Sequence, residues 1–251
     1  MIPHHLVSGP EDAPPVVLSN SLGATLDMWD PQHDALAKRF RVIRYDTRGH
    51  GGSETPPGPY SIEDLGNDVV DLLDHLHIER AHFVGLSLGG MTGMWLAANR
   101  PERIDRLVLL CTSAKLGPPE MWADRAKTVR EQGTGAIVDT TLERWFTEGY
   151  RNRFDVSAIR AMFESIDDEG YANCCAAIQT MDLTGSLANI TAPTLVIAGA
   201  QDPSTPPAEH AQRIVEAIPN ARLEVLDPGA HLINVEQPET VTRLIIEHLE
   251  G

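Results

Sequence analysis

Six short apolar runs, each nearly unbroken, constrain this chain more than any other feature. They are "PVVLSN" at 15–20, "FRVIRYD" at 40–46, "AHFVGL" at 81–86, "RLVLLC" at 106–111, "TLVIAG" at 194–199 and "RLEVLD" at 222–227. A strand with one wet face alternates apolar and polar residues, whereas a continuous run fits a strand covered on both sides. Helical patterns separate the runs. Leu65, Val69, Leu72, Leu73 and Leu76 recur at helical spacing after Ser61, whose partner three residues on is Asp64, a variant of the capping box. "LGGMTGMWLAANRP" stops before Pro101, and "PPAEHAQRIVEAIPN" and "QPETVTRLIIEHLE" each carry proline near a helix start. Strand and helix in repeated alternation predict the α/β class, with a mainly parallel sheet flanked by helices.

One interval breaks the rhythm. Residues 115–183 hold helical segments such as "PEMWADRAKTVREQG", "TTLERWFT" and "YANCCAAIQTM", but no convincing strand. The pattern predicts a core domain built from 1–114 and 184–251, carrying a helical cap over 115–183. Trp122, Trp145, Phe146, Tyr150, Phe154, Phe163 and Tyr171 crowd into that cap. Most of them are expected to pack its own small core, leaving two or three to line an apolar pocket against the sheet.

Chemistry concentrates at "HFVGLSLGGMTG", where Gly85-Leu86-Ser87-Leu88-Gly89 ends a predicted strand and opens a predicted helix. That context is the one a nucleophile elbow needs: a strained turn exposes the serine hydroxyl, and flanking glycines make room for it. Serine is a poor nucleophile until a base takes its proton, so a histidine and an acid are required later in the chain. Asp202 follows "TLVIAG" and His231 follows "RLEVLD", each on a loop just past a strand. The order Ser87, Asp202, His231 is that of an α/β-hydrolase fold triad. Asp227, only a few residues before His231, is a rival acid and reads better as a loop residue.

The oxyanion formed by such an attack needs two backbone donors, assigned here to Leu88, after the nucleophile, and Leu22, in the early loop "SNSLGATLDMWDP". The glycine-rich "YDTRGHGGSETP" matches no phosphate-binding fingerprint and is read as structural, with Asp46 and Arg48 bracing neighbouring loops. No histidine spacing resembles H-E-x-x-H, so no catalytic metal and no cofactor are expected. Cys111 and the Cys174-Cys175 pair read as packed thiols.

A formal charge of −16 makes nucleic acid and anionic membranes poor partners. No apolar run approaches the roughly 18 residues of a membrane helix. "MIPHHLVSGPEDAPP" lacks both the basic start and the apolar core of a secretory signal, which predicts residence in the cytosol. The same charge opposes any carboxylate-bearing ligand unless a local cation offsets it.

Together, "LSNSLGATLDMWDPQ", "YDTRGHGGS", "GLSLGG", "LERWFT", "YANCCAAI", "PTLVIAGAQDPSTPP" and "AHLINVEQPE" resemble the 3-oxoadipate enol-lactonases of aromatic catabolism, within the α/β-hydrolase superfamily. The cap segments carry most of that resemblance, because the elbow is common to many hydrolases. It implies a small-molecule lactone substrate, 3-oxoadipate enol-lactone, opened by Ser87, His231 and Asp202 through an acyl-enzyme. In this family Asn-Ser at the oxyanion loop is usual, as in Asn20-Ser21. A basic residue often stands near the position of Gln179, and its replacement here weighs against lactone preference. The remote carboxylate of the substrate calls for a cap cation, with Arg130 and Arg144 as candidates beside Trp122 and Trp145. The nearest rivals with the same triad are a broad carboxylesterase and a cofactor-free perhydrolase. A ligand-binding protein of the same fold is the non-enzyme alternative.

Overall fold

In the computed structural model, which describes residues 1–251, the apolar runs pair into a single seven-stranded sheet. Its strands are β1 (His5–Ser8), β2 (Pro15–Ser19), β3 (Arg41–Tyr45), β4 (Ala81–Leu86), β5 (Ile104–Leu110), β6 (Thr194–Gly199) and β7 (Ala221–Leu226), in the order β1-β3-β2-β4-β5-β6-β7. All neighbours are parallel except β1, which runs antiparallel to β3. The interior strands β4 and β6 are buried at every residue, as continuous apolar runs require.

Both edges differ from the sequence expectation. β1, "HLVS", lies outside the six apolar runs: it is four residues long and largely exposed, so it shows neither a buried run nor a clear alternation. The run at 222–227 predicts a doubly covered strand, whereas β7 is an edge strand whose residues are all exposed or only partly buried. Its charged Arg222 and Glu224, and an exposed Val225, suit an edge position rather than a doubly covered one.

The helices are α1 (Asp30–Leu36), α2 (Ile62–His75), α3 (Leu88–Asn99), α4 (Pro119–Gln132), α5 (Val138–Trp145), α6 (Glu148–Arg151), α7 (Ser157–Glu164), α8 (Asp168–Thr180), α9 (Ala211–Ala217), α10 (Ile233–Glu236) and α11 (Pro238–Glu250). α2 starts with both bonds of its capping box: Ser61 Oγ accepts from the Asp64 amide, and the Asp64 carboxylate accepts from the Ser61 amide. α3 is buried from Leu88 to Ala97, which explains its small residues. A Cβ on Gly93 would lie 2.8 Å from the Phe83 ring, so only glycine lets this helix sit so close to β4. None of the helices is long and apolar enough to cross a membrane.

Between β5 and β6 the chain is helical, from α4 to α8, with α4 packed along α8. Trp145, Phe163 and Tyr171 form an edge-to-face series there, with ring centroids 5.5 and 5.6 Å apart. This segment is seated on the loops after β2 and β3. Gly170 and Gly49 meet backbone to backbone, and a Cβ on either would lie 2.4 Å from the other's Cα.

Register aligns the strand ends. Leu86 pairs with Leu110, Leu110 with Ile197, and Gly199 with Leu226, while Ser19 at the end of β2 pairs with Gly85. Loops leaving β2, β4, β5, β6 and β7 therefore emerge along one edge of the sheet. Ser87, Asp202 and His231 lie on those loops.

Candidate active site

Ser87 stands between β4 and α3 with φ 54° and ψ −112°, a conformation that L-residues rarely adopt. Such geometry costs on the order of 1–3 kcal/mol and persists only when its surroundings enforce it. Here the Ser87 amide donates to Leu110 O at 2.9 Å, and Ser87 O accepts from Thr112 Oγ at 2.7 Å and from the Met91 amide at 2.9 Å. The loop after β5 thus grips the turn from the neighbouring strand. Glycine is needed on either side: a Cβ on Gly85 would lie 2.2 Å from Gly89 O, and one on Gly89 would lie 2.2 Å from Ser19 O.

On the same edge, His231 Nδ1 lies 2.7 Å from Asp202 Oδ2, and both side chains are buried. Asp202 Oδ2 also accepts from Thr205 Oγ at 2.6 Å, and Oδ1 accepts from the Ser204 and Thr205 amides at 2.8 and 3.2 Å. Burial alone would raise this carboxyl's pKa, but the attraction of His231 and the hydrogen bonds from His231, Thr205 and Ser204 outweigh it and leave the pKa lowered. Asp202 is therefore ionised at neutral pH, with its Oδ2 on the ring nitrogen His231 Nδ1. The Ser87 hydroxyl makes no hydrogen bond, to His231 or to any other group. Of the three residues, the structure joins acid to base and leaves the nucleophile unbonded on the shared edge. Asp227 turns elsewhere and accepts from Gln201 Nε2 at 3.1 Å.

The loop after β2 passes beside the elbow, where Gly89 donates to Asn20 O at 2.9 Å. Within that loop Ser21 N points at Met28 Sδ, Gly23 N donates to His50 Nε2 at 3.0 Å and Ala24 N donates to Ser21 O. The Leu22 amide has no such partner, nor does the Leu88 amide at the first position of α3. Both amides are therefore free donors, one at the first position of α3 and one in the loop that Gly89 contacts. Asp46 braces this loop by accepting from Leu26 N at 2.8 Å and from Gly52 N at 2.9 Å. Arg48 is committed to Asp68 through two bonds of 2.6 and 2.7 Å.

The cap residues fall in different places. Trp145 is buried, and its carbonyl accepts from the amide of Leu232, next to His231, at 2.9 Å. Trp122 is buried with its indole donating to Leu116 O at 3.0 Å. Arg144 is exposed and free of ion pairs. Arg130 is exposed too, but Glu169 takes it up through bonds of 2.9 and 3.0 Å, and Asn173 accepts a third at 2.9 Å. Satisfied on the outer surface, Arg130 has little left to offer a ligand.

Sequence reasoning missed four positions. Thr205 fixes Asp202, and the "DPST" turn, with hydroxyls two and three residues after an aspartate, is the signal that could have found it. Glu236 Oε2 accepts from the amide of Ala230, beside His231, at 2.8 Å, while its other oxygen accepts from the amide and hydroxyl of Thr147, just past Trp145. It ties the helical segment to the histidine loop. Arg125 is half-buried with no carboxylate, bonded to the Tyr171 hydroxyl at 2.7 Å and to Thr141 at 2.8 Å. His50 is the fourth. No group of three His, Cys, Asp or Glu side chains is placed to hold a metal ion, and the three cysteines are free and buried.

The sequence matches the family model for the alpha/beta hydrolase fold over residues 14–134 and 123–238. It is 45% identical over 239 residues to 3-oxoadipate enol-lactonase 2 of Acinetobacter baylyi, covering 94% of this chain and 89% of that protein. Identity to 3-oxoadipate enol-lactonase 1 of the same organism is 40%, over 93% of this chain and 87% of that one. The crystal structure of the enol-lactonase from Burkholderia xenovorans LB400 superposes with a TM-score of 0.96 at 46% identity, covering 99% of this chain and 96% of the other.

Proposed function

Because the chain belongs to the 3-oxoadipate enol-lactonase family of the α/β hydrolases, we propose that it opens the ring of 3-oxoadipate enol-lactone by attack of Ser87, through an acyl-enzyme. It is a hydrolase, and its relatives support lactone hydrolysis. The observation that carries the residue assignment is the 2.7 Å bond between Asp202 and His231, made on the sheet edge where the strained Ser87 turn stands.

In this reading Asp202 holds the proton of His231 on Nδ1, leaving Nε2 free to take the proton of Ser87 Oγ. Ser87 Oγ bonds to the lactone carbonyl carbon while the Leu22 and Leu88 amides donate to the developing oxyanion. Collapse of that intermediate breaks the ring C–O bond and releases an enolate, a better leaving group than an ordinary alkoxide. The imidazolium returns its proton to give the enol, which tautomerises to the ketone. His231 then deprotonates water for attack on the Ser87 ester, freeing 3-oxoadipate and restoring the hydroxyl.

The substrate's remote carboxylate enters a chain of formal charge −16, so a cap cation must offset the repulsion. Arg144 is free to do so; Arg130 is held by Glu169. Trp145, packed against Phe163 and bonded to the histidine loop, would form the pocket's apolar wall, with Trp122 deeper in the segment. The activity would belong to aromatic catabolism in the cytosol. Its test is the fall in ultraviolet absorbance of freshly generated enol-lactone, with neutral aryl esters as comparison. A kcat/KM at least tenfold higher on the lactone, abolished in Ser87→Ala, supports the assignment. Preference for the esters would reassign the chain as a broad carboxylesterase, and turnover surviving Ser87→Ala would refute the nucleophile.

A further inference from the structure

His50 is almost completely buried and lies directly behind the loop that carries the Leu22 amide. Its Nε2 accepts from the Gly23 amide at 3.0 Å, and its Nδ1 lies 3.2 Å from Arg48 O. An acceptor nitrogen cannot carry a proton, and a ring nitrogen facing a carbonyl must. Two backbone groups therefore impose the neutral ring protonated on Nδ1. Burial, only partly opposed by the Arg48 carbonyl and by Asp46 and Asp167, pushes the pKa of this ring down to about 4, so the acceptor persists throughout the neutral range.

The bond matters because of where Gly23 sits. Its φ of +83° is left-handed, and a Cβ there would lie 2.4 Å from the Phe163 ring, so the residue is pressed from the cap side. His50 holds it from the core side. The Gly23 amide shares its peptide plane with the Leu22 carbonyl, so anchoring it restricts rotation of the residue whose own amide is left free.

We propose that His50 is a positioning residue for ester cleavage: by accepting from Gly23 N–H it aims the Leu22 amide at the oxyanion. This rests on the reading of Leu22 as an oxyanion donor. The role needs a hydrogen-bond acceptor at the position of Nε2, not a ring, and that distinguishes it from core filling. Glutamine can place an oxygen there, whereas methionine has similar length and only a weak acceptor.

The test compares His50→Gln and His50→Met, with Ser87→Ala in parallel, on enol-lactone turnover and thermal melting. Removing an oxyanion donor outright costs about 10²–10³ in kcat, and misaiming one is expected to cost roughly 10–100-fold. His50→Met should lose that much kcat with KM within about threefold of wild type, and His50→Gln should recover to within about fivefold. Wild-type kcat in His50→Met, a loss confined to KM, or equal losses in both variants would overturn the proposal while Ser87→Ala, inactive, leaves the serine mechanism standing. Full turnover by Ser87→Ala would overturn both. Should His50→Met fail to fold, ¹⁵N spectra of histidine-labelled wild type decide. A ring protonated on Nδ1 from pH 5.5 to 8 supports the role, and a proton on Nε2 rules it out.

Discussion

Replacing Asp202 with asparagine gives a prediction whose direction follows from four hydrogen bonds. Asp202 Oδ1 accepts from two backbone amides, Ser204 and Thr205, while Oδ2 accepts from the Thr205 hydroxyl and faces His231 Nδ1. Backbone amides cannot turn away, so in Asp202→Asn the amide oxygen must occupy the Oδ1 position and the NH2 group must face the ring. The Thr205 hydroxyl can rotate from donor to acceptor. The imidazole has one way to comply: Nδ1 becomes the acceptor and the proton moves to Nε2, the nitrogen that in the proposed mechanism receives the proton of Ser87. Loss of the productive tautomer costs about 10⁴ in kcat in a Ser-His-Asp triad, or about 5.4 kcal/mol at 1.36 kcal/mol per decade. Stability should change little, because the side chain keeps its partners and loses mainly charge assistance, about 1–2 kcal/mol. For a chain of this size that lowers the melting temperature by about 2–8 °C. Steady-state kinetics on the enol-lactone, run beside a thermal melt, measure both quantities. A folded Asp202→Asn variant with kcat within tenfold of wild type would refute the argument.

Gly89→Ala places a Cβ 2.2 Å from Ser19 O, which is backbone and cannot rotate away; overpacking of about 1–3 kcal/mol should lower the melting point by about 2–12 °C, and an unchanged melt would contradict the packing account. Burial lowers the pKa of His248 to about 4, against an ordinary value near 6.5. Between those values the unfolded chain holds a proton that the native ring does not, so this group's stabilisation is complete above pH 6.5 and is lost as pH falls towards 4. In His248→Gln, the slope of unfolding free energy across that window should be shallower by up to about 1.4 kcal/mol per pH unit, and an identical slope would sink the assignment. Arg144→Met should raise KM for the lactone about tenfold, the loss of one charge-assisted bond of roughly 1.5 kcal/mol, and spare neutral esters. Arg130→Met, whose cation Glu169 already occupies, should alter neither; equal effects of Arg144→Met on lactone and ester would reject its role.

The parallel sheet is legible in the sequence because β4 and β6 are covered on both faces, and a strand of that kind must be apolar throughout. The site candidates are legible for a related reason: in a parallel sheet every strand ends at the same edge, so chemistry-bearing residues just after strands are gathered together whatever their separation in the chain. Ser87, Asp202 and His231 all have that placement. β1 is not legible, since its four residues take their structure from pairing with β3. Nor are Glu236 and His50, whose parts depend on which backbone amides the fold brings to them. Composition does not separate Arg130 from Arg144 either: what divides them is Glu169, carried by another helix.

The central claim is that Ser87 forms a covalent acyl-enzyme, and the mass of the protein during turnover tests it most directly. The enzyme is mixed with excess enol-lactone, quenched with acid within milliseconds and digested. Opening a lactone expels no atoms, so the peptide containing Ser87 should gain the full mass of the substrate, and Ser87→Ala should gain nothing. Turnover at the normal rate with Ser87 unmodified throughout, or with the adduct on another residue, would contradict the account.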